Sequence, residues 1–334
     1  MDQSRDRAGQ AATGGLVPEV NGAPRSRLEG LLRSGTFAVT AELGTMDSAD
    51  LSSVRRVAQP LLGVVDAVNC TDNSAAHVHI APVAAARAAM DVGLEPIVQF
   101  TCRDRNRLAL QSDILGAAAL GVRNVECMTG DDVSAGDHPE ATASWDLDSL
   151  HLLRVARTMG DRGVFLSGRR LEAAPSYFVG AVENPFAPPQ DFRPLRLGKK
   201  IEAGAEFFQL QIAFNPDRLR RFMSRVVDLG FHERAFVLPS VCVPRSARAL
   251  RYLRDEVPGI DVPADVLARL ERALPERQAE ESIRMALETV AEIREMPGVA
   301  GIHLIAIKWE EAIIRVAEEA GLLPRPTLPA LEPA

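Results

Sequence analysis

A chain of 334 residues with 46% hydrophobic content holds enough apolar side chains for one large core or two small ones. Its formal net charge of -7, with the signs interspersed, offers no basic stripe to a phosphate backbone; nucleic acid is excluded as an expected partner, and small anionic ligands stay open. Four widely spaced cysteines, Cys70, Cys102, Cys127 and Cys242, form neither a zinc motif nor a disulfide framework, so no metal is expected and a reducing, cytoplasmic setting is.

Residues 1–28 mix Gly, Ala, Pro and charge without the apolar run of a signal peptide, and read as a disordered tail. From there β-rich runs alternate with helical segments. The expected strands are TFAVTAEL (36–43), VDAVNCT (65–71), EPIVQFTC (95–102), RNVECMT (123–129), SYFVGAV (176–182), AEFFQLQIAF (205–214), RAFVLPS (234–240) and AGIHLIAI (300–307). After the third strand, NRLALQSDILGAAALG reads as a helix with Leu108, Leu115 and Ala118 on one face and Gly121 as its stop. Residues 130–146 read as a long polar loop, a common form of binding loop. Residues 258–297 add helices before the last strand, and KWEEAIIRVAEEAG closes the repeat with Trp309, Ile313, Val316 and Ala320 on one face. Residues 323–334, rich in proline, read as a second tail.

This rhythm predicts a single (β/α)8 TIM barrel over residues 29–322, with extra helices before the last strand. An open doubly wound sheet is the weaker alternative, since no G-x-G-x-x-G follows the first strand. No apolar stretch approaches the roughly 20 residues that cross a bilayer, so no membrane is expected.

Alternation along a strand separates two faces. Val39, Ala41 and Leu43 share one, while Ala38, Thr40 and Glu42 share the other; Asn69 and Thr71, Gln99 and Thr101, and Gln209 and Gln211 repeat the polar face. In a barrel that face points inward, with Glu42, Thr71, Thr101 and Gln211 at the C-terminal mouth where such barrels bind and react. Cys70, Cys102 and Cys127 fall on the opposite face as small core residues. The inward polar groups either satisfy one another and bound water or receive a ligand, because an unpartnered buried amide costs about 1–3 kcal/mol.

TAELGT, VNCTDN, QFTCRDRN with LQSDILGAAALGVRNVECMTGDD, and KKIEAGAEFFQLQ occur in this order and together resemble the 5,10-methylenetetrahydrofolate reductases over residues 30–322. The resemblance implies a barrel holding FAD, to which NADH or NADPH gives hydride, and reduction of methylenetetrahydrofolate to 5-methyltetrahydrofolate. It implies Glu42 as the general acid that helps open the folate's one-carbon bridge, Asp131 near flavin and pterin, and Gln211 in contact with substrate. Thr71, Gln99, Thr129, Gly130, Asp131, Gly180 and Lys200 fall on cofactor-contacting positions. Relatives commonly self-associate, which makes a homo-oligomer the expectation.

The chain departs from the family at several of these positions. Gln99 stands where many relatives have histidine, Thr129 where they have arginine, Gly180 where a tyrosine is expected, and Arg193 where an acidic contact is common; Asn215 ends the segment after Gln211 in place of the usual aspartate. These changes keep other readings open: a non-catalytic or complex-dependent folate- or flavin-binding relative working with a partner subunit, a flavin-free reductase, or a barrel methyltransferase. His303, inward on the last strand, reads as a core histidine.

Overall fold

Eight parallel strands close into a barrel in sequence order, in a computed structural model that describes residues 22–327. The strands are β1 (Ala38–Glu42), β2 (Ala67–Cys70), β3 (Pro96–Thr101), β4 (Asn124–Met128), β5 (Phe178–Glu183), β6 (Phe207–Ile212), β7 (Phe236–Cys242) and β8 (Gly301–Ile305). Each overlaps an expected run, and β8 closes the ring by pairing with β1, Thr40 beside His303.

The helices are α1 (Arg27–Arg33), α2 (Leu51–Ala58), α3 (Pro82–Asp91), α4 (Arg107–Ala119), α5 (Ser149–Arg162), α6 (Arg193–Ala203), α7 (Pro216–Asp228), α8 (Ala247–Glu256), α9 (Ala264–Arg272), α10 (Gln278–Arg294) and α11 (Glu310–Glu319). Side-chain caps start many of them: Asp50 accepts from the Ser52 N–H, Asn106 from Leu108 and Ala109, and Asp148 from His151. The extra helices expected before the last strand are α9 and α10.

Two cores follow from strand alternation. The outer one lies between strands and helices and takes Val39, Ala41, Val68, Val98, Phe100, Phe208 and Leu304, together with Cys70, Cys102 and Cys127. Burial pushes the Cys70 thiol up to about 12, as expected of an inert packing residue. The inner core is a floor at the N-terminal end of the barrel: Ala38, Ala67, Ile97, Phe178, Phe207, Phe236 and Leu238, with Leu28 and Leu32 of α1 packed into it. Phe178 and Phe207 stack with ring centroids 4.8 Å apart, and Phe236 meets Phe178 edge-on at 6.3 Å. The Glu95 carboxylate accepts from the backbone N–H groups of Arg27 and Leu28 at 2.7 and 2.9 Å, fixing the start of α1 beneath this floor.

Three expectations need correction. The buried face of α4 is Leu110, Ile114 and Ala117; Leu115 and Ala118 pack at its edge, and Leu108 is 76% exposed, because packing against the strands turns the helix away from the face named from sequence. The N-terminal tail ends earlier than residue 28: Leu28 is wholly buried, and Arg25 binds Glu29 and Glu206. The C-terminal tail begins later than residue 323, because Arg325 is anchored. Its guanidinium donates to Asp66 at 2.6 Å and to the Phe37 carbonyl at 2.8 Å, and Asp66 also accepts from the Val39 N–H at 2.8 Å. The remaining tail residues, 1–21 and 328–334, lie outside the described residues.

Arg325→Ala leaves the buried Asp66 with the Val39 N–H and a more distant Arg27, 3.7 Å away. An under-partnered buried polar group costs about 1–3 kcal/mol, so the urea midpoint is expected to fall by that equivalent. Equilibrium unfolding followed by circular dichroism checks it; an unchanged midpoint would show that Arg325 contributes nothing.

Candidate active site

The inward side chains above the aromatic floor form two polar layers. In the lower one, Gln209 donates to Asn69 at 3.0 Å and to Thr40 at 3.2 Å, the Asn69 amide donates back to Gln209, and the Thr40 hydroxyl meets His303 Nδ1 at 3.0 Å. Burial drives the His303 imidazole down to about 3, so it is neutral. This layer is knit together by its own hydrogen bonds and lies at the bottom of the cleft, where Asn69, Gln209 and His303 form part of the lining.

The upper layer does not satisfy itself. It lines a cleft of about 420 Å³ at the C-terminal mouth, and Glu42, Thr71, Gln99, Thr129, Gly130, Asp131, Lys200 and Gln211 all face it. Glu42, at the end of β1, is half-buried, and its carboxylate has no hydrogen-bond partner among the described residues. Burial raises its pKa to about 7. An acid that keeps its proton near neutral pH and faces an open cleft is equipped to donate it.

The β4 end supplies the next wall. Gly130 has φ +94, and a Cβ there would lie 3.1 Å from Thr101 Cβ and 3.3 Å from Arg103 Cβ. Only glycine lets the chain turn so close to β3. Asp131 follows, exposed, with its carbonyl accepting from Arg103 at 3.4 Å. Arg103 is 2% exposed and pinned: it binds Asp104 at 2.6 and 2.7 Å and the Asn73 carbonyl at 3.1 Å. The remainder of the loop after β4 runs outside the cleft, against the turn at Asn73–Val78, where Asp137 accepts from the Val78 N–H at 3.3 Å.

On the opposite wall Lys200 of α6 lies 3.0 Å from Glu183 and also donates to the Val182 carbonyl. Burial pulls its ammonium below the usual lysine value, against the opposing charge of Glu183. Arg196 and Arg193 approach the same Glu183 at 3.5 and 3.7 Å. Three cations thus share one carboxylate, leaving a positive patch beside the cleft.

Gly180 is the sequence-predicted site residue that does not line the cleft. Its Cα lies under the Phe207 ring, which a Cβ would approach to 2.2 Å, so the missing side chain makes room for the floor. Arg193 also stays outside the cleft wall, donating to the carbonyls of Ala187 and Pro188. Asn215 caps α7 by accepting from the Arg218 N–H at 3.2 Å and donates to Asp261 at 2.9 Å.

Sequence reasoning missed Glu126, Glu183, Arg103 and Arg196. Glu126 was within reach of the alternation that marked Glu42, since Asn124, Glu126 and Met128 share the inward face of β4. Its carboxyl is wholly buried, and burial, with a smaller push from Glu42, raises its pKa to about 8. Among the described residues no group of three or more His, Cys, Asp or Glu is arranged to hold a metal ion, and no helix is long and apolar enough to cross a membrane.

This geometry can be set beside known proteins. A protein of Clostridium thermocellum that binds two copies of 5-methyl-5,6,7,8-tetrahydrofolic acid superposes with a TM-score of 0.63 at 14% identity, over 89% of this chain and all of that one. DmoA of Hyphomicrobium sulfonivorans superposes with a TM-score of 0.52 at 10% identity, over 85% of this chain and 88% of that one. At such identities the likeness is one of fold. A sequence relative, methylenetetrahydrofolate reductase 2 of Schizosaccharomyces pombe, is 24% identical over 237 residues, 68% of this chain; the match spans only 36% of that relative's length. The model of the methylenetetrahydrofolate reductase family matches residues 46–321, from the residue after TAELGT to just past the last helix, and the chain belongs to that family.

Proposed function

We propose that this chain reduces 5,10-methylenetetrahydrofolate to 5-methyltetrahydrofolate with hydride from NADH or NADPH, passed through bound FAD. The observation that carries the reading is Glu42, a carboxyl with a pKa near 7 and no protein partner, facing the cleft at the barrel mouth. Opening the one-carbon bridge requires a proton on the departing folate amine as its C–N bond breaks, and Glu42 holds that proton. Its acid form predominates below about pH 7 and is lost above it.

The cleft fits the proposed cofactor. The neutral groups of Thr71, Asn73, Ser74 and Thr101 suit ring edges and sugar hydroxyls, and the excess positive charge around Glu183, with Lys200 and Arg196 in the wall, suits a diphosphate. When bound, a flavin carries two electrons between nicotinamide and folate in turn. Asp131, Gln211 and Gln99 orient ring edges, and the closed floor admits no water from below. The proposed partners are small molecules, and the oligomeric state is proposed as a homo-oligomer.

Purified protein is expected to show the flavin absorption bands, to oxidise reduced nicotinamide when an acceptor is supplied, and to form 5-methyltetrahydrofolate. A colourless preparation that neither takes up FAD nor reduces the folate overturns this reading.

A further inference from the structure

Glu126 takes no part in the chemistry proposed above, yet it touches a cleft residue. Its register neighbours are Gln99 on β3 and Gly180 on β5. Glu126 Oε2 accepts from Gln99 Nε2 at 2.9 Å, while Oε1 is buried without a partner. Gln99 is 8% exposed and lines the cleft, and its carbonyl oxygen has no protein partner among the described residues.

A glutamine amide can turn over so that nitrogen and oxygen exchange places at almost no change of shape. An ionised carboxylate only accepts, and therefore holds the amide nitrogen. A protonated carboxyl can donate, and then holds the amide oxygen. We propose that Glu126 is a positioning residue that, through its proton, decides which end of the Gln99 amide faces the cleft: the carbonyl oxygen when Glu126 is ionised, the N–H groups when it is protonated.

The charged groups around Glu126 favour the proton. Burial is the largest influence and favours the acid; the hydrogen bond from Gln99 opposes it, Glu42 on β1 repels the carboxylate's charge, and Lys200 on α6 attracts it more weakly. The packed neighbours on β3 and β5 are the neutral Gln99 and Gly180, and the adjacent Cys127 thiol is itself pushed up by burial. An ionised Glu126 would also keep Oε1, which is buried without a partner among the described residues, shielded from solvent, and this is costlier for a carboxylate than for an acid. The bond from Gln99 Nε2 to Glu126 is the arrangement of the ionised carboxylate; with the proton in place, below about pH 8, the amide turns and the cleft wall offers an N–H donor to an acceptor edge of the ligand. Above about pH 8 it offers an acceptor to an N–H edge. Only the ligand's identity rests on the folate reading; a pterin ring presents both kinds of edge.

Two measurements test this. In pH-difference infrared spectra of the ligand-free protein, a protonated-carboxyl carbonyl stretch should fade as pH rises through about 8. Glu126→Gln should remove it, and Gln99→Met should shift it by taking away its hydrogen-bond partner. A band left in place by Gln99→Met means that the pair is not coupled, and overturns the proposal. In calorimetric titrations with 5-methyltetrahydrofolate, the wild-type affinity should change about 2- to 10-fold across that pH, the worth of one neutral hydrogen bond. That step should vanish in both variants, while the step nearer pH 7 that belongs to Glu42 stays. A step that survives in Glu126→Gln also overturns the proposal. If the wild-type protein binds no 5-methyltetrahydrofolate, the folate reading fails, and the infrared result alone still decides the switch.

Discussion

Glu42→Gln is expected to lower the rate of folate reduction by about 10²- to 10⁴-fold, the usual contribution of a positioned general acid, while leaving oxidation of reduced nicotinamide within a few-fold of wild type. The substitution keeps shape and polarity but holds no transferable proton. Only the step that opens the one-carbon bridge needs one, so the two half-reactions should part company. Stopped-flow measurement of each half-reaction checks this, and equal loss of both would contradict the acid role. The pH profile gives an independent reading. Because burial raises the Glu42 carboxyl to about 7, kcat/KM for the folate should be flat on the acid side and fall tenfold per pH unit above that value. The glutamine variant should lack this limb.

Phe207→Ala is expected to cost about 3–5 kcal/mol, a large share of the roughly 5–15 kcal/mol that holds an ordinary domain folded. The ring is wholly buried, stacks on Phe178 and covers Gly180, so its removal opens a cavity in the barrel floor that the rigid strands cannot collapse to fill. Chemical denaturation should show a lower midpoint with an unchanged slope. A coupling test sharpens it. Gly180→Ala in the wild-type protein places a methyl 2.2 Å from the Phe207 ring and should destabilise by about 1–3 kcal/mol. In the Phe207→Ala background the same methyl enters empty space, and its cost should largely disappear. Additive effects would show that ring and glycine do not oppose each other as the structure places them.

Much of the barrel was legible because strand polarity repeats every second residue, and a half-polar, wholly buried strand has few places to go. The same rule brought Glu42, Thr71, Thr101 and Gln211 to one mouth. Helix phase was less legible: in α4 apolar residues are so frequent that several faces look alike, and packing against the barrel decided among them. Gly180 carried no sign of its purpose, since the reason for its missing side chain is a phenylalanine 27 positions later. Arg325 was hidden for a similar reason. A proline-rich segment looks like a tail until one arginine in it meets a buried aspartate 259 positions earlier. Glu126 was legible from the same alternation, but its role depends on a hydrogen bond to Gln99 of the neighbouring strand, 27 positions earlier.

The aromatic floor has a consequence for the order of events. Phe178, Phe207 and Phe236, backed by Leu28 and Leu32, turn the barrel from a pipe into a cup. A cup has one rim. Whatever reaches Glu42 enters past the loops at that rim and must back out the same way before another molecule of similar size can take its place. On the proposed function, a hydride donor and a hydride acceptor that both need the bottom of the cup would become visitors by turns, each able to block the other when it is in excess.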